Sequence, residues 1–155
     1  MSIRANFTTD HIISNGWMVD ARAYGPSTSK TAIDAAVTAI GTNTRTLLLA
    51  PGTWTIDDDL TFAENVYVHF APGAQLSIDS GKTVTFHTPS HVLAAATQDI
   101  FSGDGDVTFT NSGIVQAGWW GASTSAGASV NTAAINAALN CMDEKDVTVK
   151  LAPGT

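Results

Sequence analysis

Apolar and polar positions alternate in short runs along the middle of the chain. In Thr83-Val84-Thr85-Phe86-His87, Val84 and Phe86 fall on one face and the two Thr residues on the other. That period of two marks a strand buried on one side. Leu60-Thr61-Phe62 and Val107-Thr108-Phe109 repeat the pattern at spacings of 24 and 23 positions. Leu49-Ala50-Pro51-Gly52 returns 21 positions later as Phe70-Ala71-Pro72-Gly73, and Trp54-Thr55-Ile56-Asp57 returns after 22 as Leu76-Ser77-Ile78-Asp79. The runs close on Pro-Gly, Asp or Ser-Gly, residues that favour turns. Strands this short cannot bury an apolar face alone, whereas stacked turns make a continuous core. The predicted fold class is therefore mainly β: a right-handed parallel β-helix (a solenoid) with short capping α-helices. Leu49/Phe70, Ile56/Ile78 and Phe62/Phe86/Phe109 are its expected inward ladders, with Trp54 in line with Leu76. A leucine-rich repeat has a similar period, but its Leu-x-x-Leu-x-Leu frame and recurring Asn are missing.

The period changes to that of a helix in two places. Ile33, Ala36, Val37 and Ile40 stand at i, i+3, i+4 and i+7, and Ile135, Ala138, Leu139 and Met142 repeat them 102 positions later. Leu49-Ala50-Pro51-Gly52-Thr53 recurs at the same offset of 102 as Leu151-Ala152-Pro153-Gly154-Thr155. Tyr24-Gly25-Pro26-Ser27-Thr28 is matched by Trp120-Gly121-Ala122-Ser123-Thr124 at an offset of 96, so the second copy carries extra loop residues before its helix. The first helix is predicted near 30–40, with Thr31 and Asp34 in capping-box spacing and Gly41 as its stop. The second is predicted near 131–142, after the polar run Ser129-Val130-Asn131-Thr132. Each is expected to cover an open end of the strand stack. The chain thus divides into an N-terminal segment (1–18), a small β-helix unit (19–117) and the start of a second, truncated unit (118–155). Closing on the repeated Leu-Ala-Pro-Gly-Thr, it is expected to be the N-terminal fragment of a longer protein.

Three runs carry a resemblance: Val19-Asp20-Ala21-Arg22-Ala23-Tyr24-Gly25, Thr31-Ala32-Ile33-Asp34-Ala35-Ala36 and Leu47-Leu48-Leu49-Ala50-Pro51-Gly52-Thr53-Trp54. Together they resemble the opening of pectate-lyase-superfamily β-helix proteins, which include phage tail spikes and polysaccharide-degrading enzymes. Trp119-Trp120-Gly121-Ala122, Asn131–Ala138 and Leu151–Thr155 resemble the same opening again, and Ile100–Phe109 is similar to a coil that often precedes it. The likeness spans most of 19–155. It implies a structural or assembly module, the N-terminal part of a longer tail-spike-like or surface polysaccharide-processing protein. It also implies a homotrimer, a polysaccharide partner, and a place in a phage virion or at the bacterial surface. Two departures matter. The family's acidic Gly-Asp-Gly-x-x-Asp-Asp run is replaced by Pro26-Ser27-Thr28-Ser29-Lys30 and by Ser123-Thr124-Ser125-Ala126-Gly127. The family's catalytic carboxylates and bases lie on later coils and have no match here, so this segment is expected not to be an enzyme itself.

Composition narrows the partners. Only 14% of the 155 residues are charged, with 7 basic against 14 acidic, and the formal charge of -7 argues against nucleic acid and anionic membranes. Met1–Asn6 lacks a secretory signal's apolar stretch, so surface location would need a non-Sec route. Cys141 is the single cysteine, which excludes an internal disulfide, and its place on the helical stripe predicts burial.

Candidate chemistry is sparse. Asp57 and Asp79 are expected to stack on neighbouring turns, where two carboxylates could serve a glycoside hydrolase or lyase or hold Ca²⁺. Strand-end capping, aided by Asp58 and Asp59, is favoured over catalysis, because like charges stacked directly destabilise. Asp104-Gly105-Asp106 with Asp99 loosely resembles a Ca²⁺ loop but lacks its later Glu, so a turn is expected and no metal site is assigned. His87 and His91 are four apart, yet Pro89 between them argues against the helix that would pair them. His11 and His69 have no evident partners. Among the aromatics, Trp54 is expected in the core and Trp119-Trp120 at the junction of the two copies. Tyr67 and Trp17 remain as candidates for stacking on sugar rings in a non-catalytic carbohydrate-binding module.

Overall fold

Strands form where the period-two runs lie. The computed structural model describes residues 17–25, 27–142 and 146–152. Its first strands are β1 (Met18–Asp20), β2 (Arg45–Leu49), β3 (Gly52–Ile56), β4 (Leu60–Thr61), β5 (Val66–Phe70) and β6 (Ala74–Ile78). There follow β7 (Thr83–Phe86), β8 (Val92–Leu93), β9 (Phe101–Gly103), β10 (Asp106–Phe109), β11 (Gly113–Gln116) and β12 (Val147–Lys150). Among the described residues they make one sheet ordered β1-β2-β5-β8, a second ordered β3-β6-β9, a third ordered β4-β7-β10, and a pair β11-β12. Every strand pairing is parallel. The protein is mainly β, with parallel sheets and few helices.

Chain order and sheet order are linked. From β2 the chain visits the first, second and third sheets in turn, then returns to the first at β5 and again at β8. Leu49 pairs with Phe70, Ile56 with Ile78, Trp54 with Leu76, and Phe86 with Phe109. Phe62 lies just beyond β4, but its N–H donates to the Thr85 carbonyl at 2.8 Å and its ring stacks on Phe86 at 5.0 Å. All of these apolar side chains are almost wholly buried. Each contributes roughly 1.5–3 kcal/mol by leaving water. The Thr residues between them face outward, where Thr85 and Thr108 hydroxyls meet at 3.0 Å.

The first helix, α1 (Lys30–Ile40), buries Ala32, Ile33, Ala36 and Ile40 and packs against β1, β2 and β3. Its start differs from the expected capping box. Ser29 is the N-cap and its side chain makes no cap bond, Thr31 lies inside the first turn, and Asp34 instead pairs with Lys30 at 2.6 Å. The cause is strand pairing: Ser29 forms a parallel bridge with Thr55, and the Thr28 carbonyl accepts the Thr55 N–H at 3.1 Å. That bridge covers the edge of β3 and fixes where the helix begins. Gly41 ends it at φ 58°, its N–H donating to the Val37 carbonyl.

The second helix, α2 (Ala128–Asn140), begins before the expected Asn131. Asn131 does not cap it. From within the helix its side chain accepts the Ser123 N–H and donates to the Ser123 and Ala126 carbonyls, binding the inserted loop to the helix. Ala134 and Ala138 are buried, while Leu139 is half exposed where its counterpart Val37 packs on the core.

The two copies share one arrangement. β1, a 3₁₀ turn (Ala21–Tyr24), α1 and β2 follow each other as do β11, a 3₁₀ turn (Ala117–Trp120), α2 and β12. Val19 pairs with Leu47 in the first copy, and Val115 with Val149 in the second.

Asp104 and Gly105 form the turn between β9 and β10. Gly103, at φ +88°, leads into it, and a Cβ there would lie 2.2 Å from the Ile78 carbonyl oxygen. No larger residue fits so close an approach.

Candidate functional site

Tyr67 stands on the outward face of β5, opposite Thr46 of β2. Trp17 precedes β1, and its carbonyl accepts the Thr46 N–H at 2.9 Å, which ties it to the same sheet edge. Its side chain is 84% exposed. Trp17 and Tyr67 therefore line one cavity of about 250 Å³, together with Thr44, Arg45 and Thr46. The two aromatic rings singled out separately in the sequence are neighbours in space.

Behind Tyr67 lies a cluster that periodicity did not predict. Pro89 opens a 3₁₀ turn (Pro89–His91), a position where its missing N–H costs nothing, and His91 N–H closes the turn onto the Thr88 carbonyl at 3.0 Å. The Pro89–His91 turn leaves His87 and His91 neighbours: their rings stack at 5.6 Å, and the Tyr67 ring lies 4.1 Å from His91. Glu64 Oε2 stands 4.0 Å from His87 Nε2. The Asn111 amide donates to the His87 carbonyl at 2.9 Å and lies 3.2 Å from Nε2. His91 is 9% exposed and its Nδ1 is buried without a hydrogen-bond partner. Burial holds the His91 imidazole below its ordinary pKa, a neighbouring charge on His87 adds to this, and Glu64 opposes it.

A second cavity, of about 450 Å³, opens over this cluster and is lined by Glu64, Asn65, His87 and His91. Thr44 borders it as well as the Trp17–Tyr67 cavity, so the two adjoin. Together they offer ring faces, hydroxyls, an amide and imidazoles, with one cation, Arg45, and one carboxylate, Glu64. A third, of about 490 Å³, is lined by His69, Leu93 and Gln98.

Repeat spacing applied to polar residues would have found much of this cluster. Glu64, His87 and Asn111 follow one another at 23 and 24 positions, and Tyr67 precedes His91 by 24.

The carboxylate pair sits elsewhere. Asp57 and Asp79 follow the paired Ile56 and Ile78, so they occupy adjoining positions, and both are exposed. The bonds that tie these turns come from their neighbours: Asp58 pairs with Lys82 at 2.9 Å and Asp59 Oδ1 accepts the Thr83 N–H at 2.9 Å. Among the described residues no three His, Cys, Asp or Glu are grouped to hold a metal ion. Asp99 is pushed above its ordinary carboxylate range by burial, against a hydrogen bond from Gln75.

The other singled-out residues take structural places. Trp54 is buried and its Nε1 donates to the Ala50 carbonyl at 3.0 Å. Trp119 is buried, and Trp120 lies 5.1 Å from Phe101. Cys141 is buried, its thiol pushed up to about 11. His11 lies outside the described residues. No helix is long and apolar enough to cross a membrane among the described residues. No family model matches the chain, and comparison with curated proteins and with solved structures likewise finds no match.

Proposed function

We propose that the chain is a right-handed parallel β-helix of the pectate-lyase-superfamily kind and serves as a structural and assembly module, not itself catalytic. Its setting is a longer tail-spike-like or surface polysaccharide-processing protein, in a phage tail or at a bacterial surface, assembled as a homotrimer. The observation that carries this is the threefold passage through the same three sheets in the same order, with in-register apolar ladders. Parallel turns stacked one on another give a stiff body, which suits a spacer or an anchor. Sedimentation equilibrium over a wide concentration range tests the assembly: a trimer is expected, and a strict monomer throughout removes the trimer.

A second function is favoured by one further observation, the shared cavity of Trp17 and Tyr67. The exposed Trp17 ring and the half-buried Tyr67 ring, beside Thr hydroxyls and Arg45, suit stacking on a sugar face. In this account the module binds polysaccharide without cleaving it. Glycan-array binding that disappears in Trp17→Ala and Tyr67→Ala supports it, and array silence of the native chain removes it. Catalysis by Asp57 and Asp79 rests on their adjoining register alone; glycan degradation that survives replacement of both by Asn excludes it.

A further inference from the structure

The Tyr67–His91–His87 stack is wedged between two parts of the molecule. On one side Tyr67 belongs to the central strand β5. On the other, Pro89 of the same 3₁₀ turn packs on β11, so closely that a Cβ on Gly113 would lie 2.9 Å from the proline ring. The turn therefore joins the sheet ordered β1-β2-β5-β8 to the β11-β12 pair. We propose that this stack is an acid-sensitive joint, in which protonation of His91 unseats the Pro89–His91 turn and loosens its hold on β5 and β11.

The chemistry follows from the surroundings. A neutral imidazole leaves one ring nitrogen bare, and His91 can keep Nδ1 bare inside the protein. The imidazolium must carry N–H on both nitrogens, and Nδ1 is buried with no acceptor. A charged group so placed is strongly disfavoured. The titratable and charged groups around it are few. Tyr67 faces it from β5, His87 from its own segment, and Glu64 from the β4–β5 turn, while β11 contributes the uncharged Gly113 and the preceding loop the uncharged Asn111. A proton on His87 repels one on His91, whose ring stands 5.6 Å away at 30°. Glu64 favours the cation but sits 4.0 Å from His87 rather than on His91. Burial wins, and the lowered pKa of His91 follows the same direction.

The sign of the linkage is then set. The unfolded chain takes up the proton near the ordinary histidine value and the folded chain only at lower pH. Stability is full above the ordinary value, falls as the pH drops through it, and levels off below the folded value. The joint needs neither a trimer nor a polysaccharide.

Hydrogen exchange on the full chain, native and His91→Phe, tests it. Phe keeps a ring against Tyr67 and His87 but cannot titrate. After correction for intrinsic rates, exchange over 88–93 and 113–116 should speed up several-fold between roughly pH 7.5 and pH 5 in the native chain, because the opened turn takes up a proton that the closed turn refuses. It should stay level in His91→Phe. A native chain without the acceleration, or a variant that keeps it, overturns the proposal. Should His91→Phe fail to fold, imidazole NMR titration of the native chain decides. A His91 midpoint below the ordinary value of about 6.5, with the amide signals of 113–116 moving at the same midpoint, upholds the joint; a midpoint at or above it, or amide signals that stay put, overturns it.

Discussion

Phe86 of β7 and Phe101 of β9 belong to different sheets, yet their ring centroids lie 5.8 Å apart. Phe101 also meets Phe70 of β5 edge-on at 5.9 Å, so side chains from three sheets converge in one core. Phe86 further stacks on Phe109 at 5.5 Å, which links this convergence to the ladder. Truncating Phe86 to Ala should therefore cost about 3–5 kcal/mol, read from the midpoint of chemical denaturation. Phe86→Leu should cost much less, because it fills most of the space.

Gly103→Ala is expected to destabilise although it removes no contact. Its Cβ would collide with the Ile78 carbonyl, and the φ of +88° is strained for any L residue. A loss of at least about 2 kcal/mol in thermal or chemical unfolding is expected. Gly81→Ala, with open space around the added Cβ but φ +75°, should lose less.

Asp58 and Asp59 should separate cleanly. The Asp58–Lys82 pair is exposed and salt-screened, so Asp58→Asn should leave unfolding unchanged within error. Asp59→Ala abandons the Thr83 N–H that it bonds across neighbouring turns and should cost about 1 kcal/mol. Denaturation of the two variants side by side checks both.

Cys141 should be inert in the folded chain. Its thiol is buried, pushed up to about 11, and its Sγ donates to the Ala138 carbonyl. Near pH 8 a thiol reagent should label it only at the rate of unfolding, and denaturant should speed labelling in proportion. Fast labelling of the native chain would contradict its place in the core.

If Trp17 and Tyr67 bind sugar, their loss should affect binding and stability differently. Trp17→Ala should leave unfolding within about 0.5 kcal/mol of native, since the ring is 84% exposed. The same variant should weaken glycan binding about tenfold, the loss of roughly 1.4 kcal/mol of ring contact. Calorimetry with any glycan found on the array measures it.

The inward ladders were legible because burial repeats with the turn: Leu49/Phe70, Ile56/Ile78 and Phe86/Phe109 all pair as their spacing requires. The first helix begins at Lys30 as its stripe predicts, but helix capping was not legible, because local capping chemistry lost to longer-range bonds. Ser29 is held by Thr55, and Asn131 is spent on the Ser123 loop. The His87–His91 stack was missed for a related reason. Pro89 excludes an α-helix through His87 and His91, but at the first position of a 3₁₀ turn it opens that turn. Nor does any pattern along the chain foretell that Trp17 and Tyr67 meet, since only the β1-β2-β5 register brings them together.

The central claim is that one chain winds its parallel strands around a shared interior, stacking turn on turn. Aromatic NOE spectroscopy on the native chain tests it most directly. The account predicts cross-peaks linking Phe70 to Phe101, Phe101 to Phe86, and Phe86 to both Phe62 and Phe109, with parallel-strand amide contacts between β7 and β10. Antiparallel contacts between those strands, or a Phe101 ring that touches neither Phe70 nor Phe86, would contradict it.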